Sequence, residues 1–304
     1  MSPPDPLETL AGLVAEDDQR PVPAGTDAVV TAVRARFGAA VAAVLFYGSC
    51  LRRGTFEGVV DVYALVDDYR AVYDASCLAL ANRLLPPNVF HLSAPTAPAP
   101  TPVKVAVMTL DAFERAMAPE VWSPSVWARF AQPTVLVHAR DERTAWRVAR
   151  ARARAVATAL RHGARLVPAG AAPLDPWRAV FRATYATELR AETAARADLV
   201  VETDAPRYAA LTGPGLAAAG DPAIGVGGWC ARAGWRLRRA LGKALSVARL
   251  AKAAFTFEGG ADYLAWKIER HTGVTVTPTP WQRRHPILAL PWLVWRLKRR
   301  GVIR

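Results

Sequence analysis

This chain is poor in the residues that bridge strands or hold metals. It has three cysteines, three methionines and five histidines in 304 residues. Cys50, Cys77 and Cys230 are far apart and odd in number, which excludes a zinc ribbon or a disulfide framework and fits a reducing compartment. No uninterrupted apolar run reaches the roughly 18 residues that mark a spanning helix. Residues 1–18 are acidic and lack the apolar centre of an export signal. Acid is also nearly missing from the last quarter, where residues 229–304 carry sixteen Lys and Arg against three Asp and Glu.

What remains is a chain that is 52% hydrophobic and long enough for two domains. Its net charge of +13 sits wholly in residues 229–304, and residues 1–228 balance to zero. Such asymmetry points to a polyanionic partner, either nucleic acid or an anionic membrane.

Periodicity divides the chain. Residues 1–26 read as an N-terminal extension. Thr26 is a candidate cap for a helix over 27–37, and 41–46 is a continuous apolar run suited to a buried strand. A turn at 47–49 leads into a helix, and a second strand rich in branched residues covers 59–66. Residues 73–85 have helical spacing, stopped by Pro86 and Pro87. Residues 95–102 carry four prolines and form a loop. A third strand at 103–108 precedes a helix capped by Thr109. A short strand at 134–138 and a strongly basic helix at 141–162 complete a unit spanning 27–167. Arginines 143, 147, 150, 154 and 161 give that helix a solvated face. Residues 168–176 read as a linker to a helical domain, and the Gly-rich stretch 213–228 as a flexible connection.

The chemistry concentrates in "FYGSCLRRGTFEGVVDVYALVDDY", residues 46–69. A strand ends at Gly48-Ser49, a helix opens there, and Asp61 follows on the next strand. Glycine lets a phosphate approach the backbone, the Ser49 hydroxyl can donate to it, and a helix start favours anions. A carboxylate on the neighbouring strand can hold Mg²⁺ against a triphosphate. The pattern resembles the entry signature of polymerase-beta-like nucleotidyltransferases, which implies an α+β fold with a small mixed sheet and flanking helices. Most such enzymes carry a second carboxylate two residues on; here that position is Tyr63. Asp67 shares the face of Asp61 if the strand extends that far, and Asp68 points the other way.

More closely, the chain resembles the mitochondrial-type phosphatidate cytidylyltransferases, the translocator assembly and maintenance family. The likeness rests on Tyr47-Gly48-Ser49, on "DVYALVDD" (61–68), on "NRLLPPNVFHLS" (82–93), on "KVAV" (104–107) with "TLDAF" (109–113), and on "WARFAQPTVL" (127–136). It covers roughly residues 40–140. Cys50 stands where that family has a small glycine, Gln132 where it has a lysine, and Val105-Ala106 where it has Tyr-Gly.

The resemblance implies a reaction in which the phosphate of phosphatidic acid attacks the α-phosphorus of CTP, giving CDP-diacylglycerol and pyrophosphate. It implies that Tyr47, Gly48 and Ser49 cradle the CTP phosphates, that Asp61 binds Mg²⁺, and that Lys104 neutralises phosphate charge. Asp67 or Asp68 would supply a second ligand or a ribose contact, unless they only end the strand in a turn. His91 and Arg129 are further nucleotide contacts. Such a reaction needs in-line positioning and charge neutralisation rather than covalent work by the protein. The alternatives are another nucleotidyltransferase of this superfamily, with a small-molecule, protein or tRNA acceptor, and a non-catalytic membrane-binding relative.

The basic region at 229–304 fits an anionic membrane. In "WCARAGWRLRRALGKALSVARLAKAAF" (229–255), Leu237, Leu241, Ala244, Ala248, Ala251 and Phe255 line one helical face, and Arg232, Arg236, Arg239 and Lys243 another. Near the end, Trp292 and Trp295 stand beside Arg296, Lys298, Arg299 and Arg300. Tryptophan next to cations suits the headgroup layer, and each cation near an anionic surface contributes about 1 kcal/mol. Tryptophans set in aliphatic runs, with no RNA-binding motif, favour lipid over nucleic acid. The expected location is the cytoplasmic face of a bacterial inner membrane, as a peripheral protein.

Overall fold

The computed structural model describes residues 5–73, 76–188, 194–220, 228–256, 277 and 279–281. These form an α+β fold on one five-stranded mixed sheet. The strands are β1 (Val41–Tyr47), β2 (Val60–Val66), β3 (Asn88–Ala94), β4 (Thr101–Thr109) and β5 (Val135–Ala139), in the order β3-β4-β2-β1-β5. β1 runs antiparallel to β2 and β5, β4 runs parallel to β2, and β3 is antiparallel to β4. Every residue of β1 is buried, as a strand covered on both faces requires.

One face of the sheet packs against α2 (Thr26–Phe37) and α4 (Ser76–Leu84). There Val29, Val33 and Phe37 meet Val44, Phe46, Val62, Ala64, Val103 and Val105. Gly25, not Thr26, occupies the cap position of α2, and the Thr26 hydroxyl instead donates to Pro23 O at 2.7 Å. The other face carries most of the helices: α1 (Pro6–Ala15), α5 (Leu110–Ala116), α6 (Trp127–Phe130), α7 (Glu142–Ala164), α8 (Asp175–Tyr185), α9 (Ala194–Thr203) and α10 (Ala205–Ala218). Short helix α3 (Ser49–Arg53) links β1 to β2. Thr109 caps α5 as expected, its hydroxyl accepting from Ala112 N at 3.2 Å.

Three segments differ from the sequence reading. Residues 6–15, placed in an N-terminal extension, form α1, and Leu10, Ala11 and Val14 are fully buried. Asp5 caps it and Pro6 opens it, so the proline starts the helix. The division expected at 168–176 does not coincide with a break in the core, because α7, α8, α9 and α10 share one apolar cluster with the sheet. Residues 213–218, expected to belong to a flexible connection, complete α10.

Helix α7 runs through the middle of this second layer, with most of its residues from 148 to 164 buried. Arg147 pairs with Asp111 and Glu114, and Arg150 with Glu8. Finally, α11 (Gly228–Thr256) packs Trp235 against α6 and α7 and reaches β3. Among the described residues no helix is long and apolar enough to cross a membrane. The expected contacts at Trp292, Trp295, Arg296, Lys298, Arg299 and Arg300 lie outside the described residues.

Candidate functional site

The register of the sheet assembles the site. Tyr47 on β1 lies opposite Asp61 on β2, Asp61 opposite Lys104 on β4, and Lys104 opposite His91 on β3. Directly paired residues share a face, so four expected site residues form one row across four strands. Lys104 Nζ stands 3.7 Å from Asp61 Oδ1. His91 is half-buried, and burial together with the Lys104 charge brings its pKa down to about 4, so its imidazole is neutral at pH 7.

Gly48 ends the β1 side of this row. It adopts φ +90°, and a Cβ there would stand 3.0 Å from Asp61 Oδ2. Only glycine combines that backbone with so close a carboxylate. Ser49 then opens α3. Cys50 turns away from the site: it is buried in the opposite layer, and its thiol donates to Val59 O at 3.3 Å. Burial also pushes that thiol's pKa up, so it remains protonated.

Tyr63, standing where a second carboxylate was sought, has a different task. Its hydroxyl accepts from Arg129 Nη1 at 3.1 Å, and the Arg129 guanidinium sits 5.3 Å from the centre of the Tyr47 ring. Two phenols thus hold a cation at the wall of a cleft whose cavity volume is about 240 Å³. Tyr47, Gly48, Ser49, Arg52, Asp61, Arg129 and Gln132 all line it. Lys104 and His91 continue the row beyond that lining.

Asp67 and Asp68 do not join the site. Asp67 lies past the far end of β2, six residues from Asp61, or about 20 Å at the usual strand rise. It accepts two hydrogen bonds from Arg140, at 2.6 and 3.0 Å. Asp68 caps the following turn by accepting from Arg70 N. The strand stops at Val66, so the shared-face argument does not extend to Asp67.

Several cleft residues escaped the sequence reading. Thr184, Tyr185, Thr187, Glu188 and Arg196 also line the cleft. The one signal was the polar cluster Thr184, Thr187 and Glu188 at the end of an otherwise amphipathic helix. Glu188 and Asp61 are the carboxylates of the cleft lining. Among the described residues no three His, Cys, Asp or Glu side chains converge as a metal cage. A cation that keeps waters and takes substrate oxygens, as Mg²⁺ does, needs only one or two carboxylates.

The long basic helix also proves two-sided. Trp235 is buried against Trp127 and His162. Arg238 Nη1 donates to Val121 O at 2.7 Å. Arg249 and Lys252 reach backbone carbonyls at 85–87, Lys252 donating to Leu85 O and Pro87 O. Away from the body, Leu237, Leu241, Ala244, Val247 and Ala248 are exposed, flanked by exposed Arg236, Arg239 and Lys243. The side chains of Arg232, Ala251 and Phe255 lie outside the described ones.

Compared with known proteins, this chain finds no match among family models or curated proteins.

Proposed function

We propose that this protein is a nucleotidyltransferase that uses the cleft at Gly48, Ser49 and Asp61 to bind CTP and transfers its cytidylyl group to phosphatidic acid at a membrane surface. The observation that carries the reading is the contact of Gly48 with Asp61. A glycine with left-handed φ, followed by serine at a helix start, lies against a carboxylate that is partly open to the cleft. A phosphate held by that turn would come next to the carboxylate, which is the arrangement that phosphoryl chemistry with a divalent cation needs.

Asp61 is the residue that would hold Mg²⁺, with Glu188 as the other carboxylate of the cleft. When bound, the metal supplies positive charge against the triphosphate. The chain's own groups do the rest. Ser49 and the backbone around Gly48 bind phosphate oxygens. Arg129, fixed by Tyr63 and Tyr47, and Lys104, next to Asp61, offset the charge on the phosphates. An oxygen of the phosphatidate monoester attacks the α-phosphorus, a new P–O bond forms, and the bond to the bridging oxygen breaks as pyrophosphate departs. The attacking monoester is already ionised near neutral pH, so no strong general base is required. Neutral His91 fits a polar neighbour of Lys104 rather than a proton acceptor with a pKa near 7.

The outward stripe of α11, with its basic flanks, supports a peripheral attachment to anionic lipid. The test is incubation of the full chain with labelled CTP, Mg²⁺ and phosphatidate vesicles beside an Asp61→Ala control. Labelled CDP-diacylglycerol from the wild type alone is the expected result. CTP binding with no lipid product would point to another acceptor, and absence of CTP binding would defeat the reading.

A further inference from the structure

Helix α11 brings a cation, Arg249, onto Ser125 at the edge of the cleft. Arg249 is partly buried, and its guanidinium donates from Nε to Pro86 O and from Nη1 to Ser125 Oγ, each at 3.2 Å. Among the described residues no carboxylate pairs with it. Ser125 and Arg129 both line the cleft that contains Asp61. Burial lowers the proton affinity of Arg249, and the neighbouring Arg129 charge adds to that while Tyr63 opposes it. Two guanidinium groups near each other in a partly buried position repel; the Glu188 charge acts on Arg129, whereas Arg249 has no such acid among the described residues, so an anion reaching both would be favoured.

The seat of the helix is tight on this side. A Cβ at Gly242 would stand 2.8 Å from Thr187 O, so the α11 backbone rests directly on a residue of the cleft wall. Two turns further along comes Arg249, near Ser125. The same helix turns Leu237, Leu241 and Val247 outward. One element thus carries an apolar stripe on its outside and, on its inside, a cation bonded to a cleft residue and without a carboxylate partner among the described residues.

We infer that Arg249, together with Arg129 and Ser125, forms a subsite for the phosphate monoester of the second substrate, at the seam between α11 and the cleft. The identity of that substrate as phosphatidate rests on the proposed function; the anion chemistry of the subsite does not. Free pyrophosphate and the phosphates of CTP carry the same chemistry, so the experiment separates the three sources.

The test is calorimetric titration of the full chain with dihexanoyl phosphatidate below its micelle concentration, which removes the membrane from the measurement. Parallel titrations use CTP and pyrophosphate. Arg249→Ala should weaken phosphatidate binding about tenfold or more, the loss expected for a hydrogen bond to a charged group. Its affinities for CTP and pyrophosphate should remain within about twofold of wild type. Arg154→Ala, an exposed cation on α7 outside the cleft lining, should leave all three unchanged. Thermal melting checks that α11 stays docked. If Arg249→Ala melts below the assay temperature, Arg249→Lys replaces it, keeping charge but losing the planar fork, with a smaller loss on phosphatidate alone. No binding of phosphatidate by the wild type, equal binding by the variants, or a loss confined to CTP or pyrophosphate would overturn the subsite. Binding through Arg249 with no CDP-diacylglycerol formed would keep the subsite and defeat the proposed reaction. Product formed by Arg249→Ala at the wild-type KM for phosphatidate would do the reverse.

Discussion

Two acid–cation groups in this protein invite comparison. In the helical layer, Arg152 is fully buried and Asp17 only 5% exposed. Arg152 donates to Asp18, Val14 O and Thr134 O at 2.6–3.2 Å, and Arg207 grips both oxygens of Asp17 at 2.7–3.0 Å. On the sheet, Asp61 and Lys104 are 26% and 42% exposed, and they stand 3.7 Å apart. The first group is almost wholly satisfied within the fold, with Nε of Arg152 the one nitrogen of that side chain left without a partner among the described residues. The second is loose and opens toward a cleft. Closed charge networks of the first kind hold elements together, here α1 and the turn after it against α7 and α10. Open ones leave capacity for a ligand.

Breaking each group separates stability from activity. Asp17→Ala should cost about 3–5 kcal/mol in urea unfolding, because Arg207 would remain buried without its acid and Arg152 would keep only Asp18. Burial raises the Asp17 pKa, but Arg207, Arg152 and Arg20 outweigh it and hold the carboxyl below its ordinary value of 3.8. The stabilisation is therefore fully present above about pH 4 and is lost as pH falls through the lower folded value. Wild type should lose stability steeply on acidification below pH 4, and the variant should lose less.

Asp61→Asn should do the opposite. Under the proposed function, cytidylyl transfer should fall about a hundredfold to a thousandfold, the scale of removing one group that offsets developing charge. Its unfolding free energy should move by no more than about 1 kcal/mol, since the pair with Lys104 is partly exposed and long. A destabilised Asp61→Asn with full activity would place Asp61 with the structural group.

Gly48→Ala tests the contact between the two halves of the turn. The new methyl group would meet Asp61 Oδ2 at 3.0 Å, at a φ of +90° that alanine adopts poorly. About 1–3 kcal/mol of strain is expected, with a larger loss of CTP affinity than of stability, read by calorimetry and by thermal melting of the same samples.

The sheet was legible where local pattern and tertiary demand agree. β1, β2 and β4 are apolar runs that need burial on both faces, and the cap at Thr109 is local chemistry. β3 was not assigned, because "NVFHLSA" alternates weakly and follows two prolines; it is a strand because β4 offers it an edge. α1 was hidden because its proline and acids look like a tail, although its partners, on α7 and α10, lie more than a hundred residues away. At the site, Gly48, Ser49 and Asp61 were visible as a local motif. The row through Lys104 and His91 needed the register, and Glu188 needed the packing of α8. Arg249 was one cation among sixteen in its region, and only the seating of α11 distinguishes it.

Asp67 offers the smallest effect and the sharpest control. It follows the last residue of the strand that carries Asp61 and also pairs with a cation, and its even spacing from Asp61 made it a candidate second ligand. Its pair with Arg140 is tight, at 2.6 Å, yet both side chains are nearly half exposed. A solvated pair of this kind contributes little, because water screens the charges and two long side chains must be ordered. Asp67→Asn should therefore change stability by about 0–1 kcal/mol and leave transfer within about twofold of wild type. Measuring it beside Asp61→Asn compares two acids at opposite ends of β2, one just past its end against an exposed arginine and one against a glycine in a cleft. If both variants lost transfer equally, the site would extend along the whole of β2, and the separation of its two ends would have to be given up.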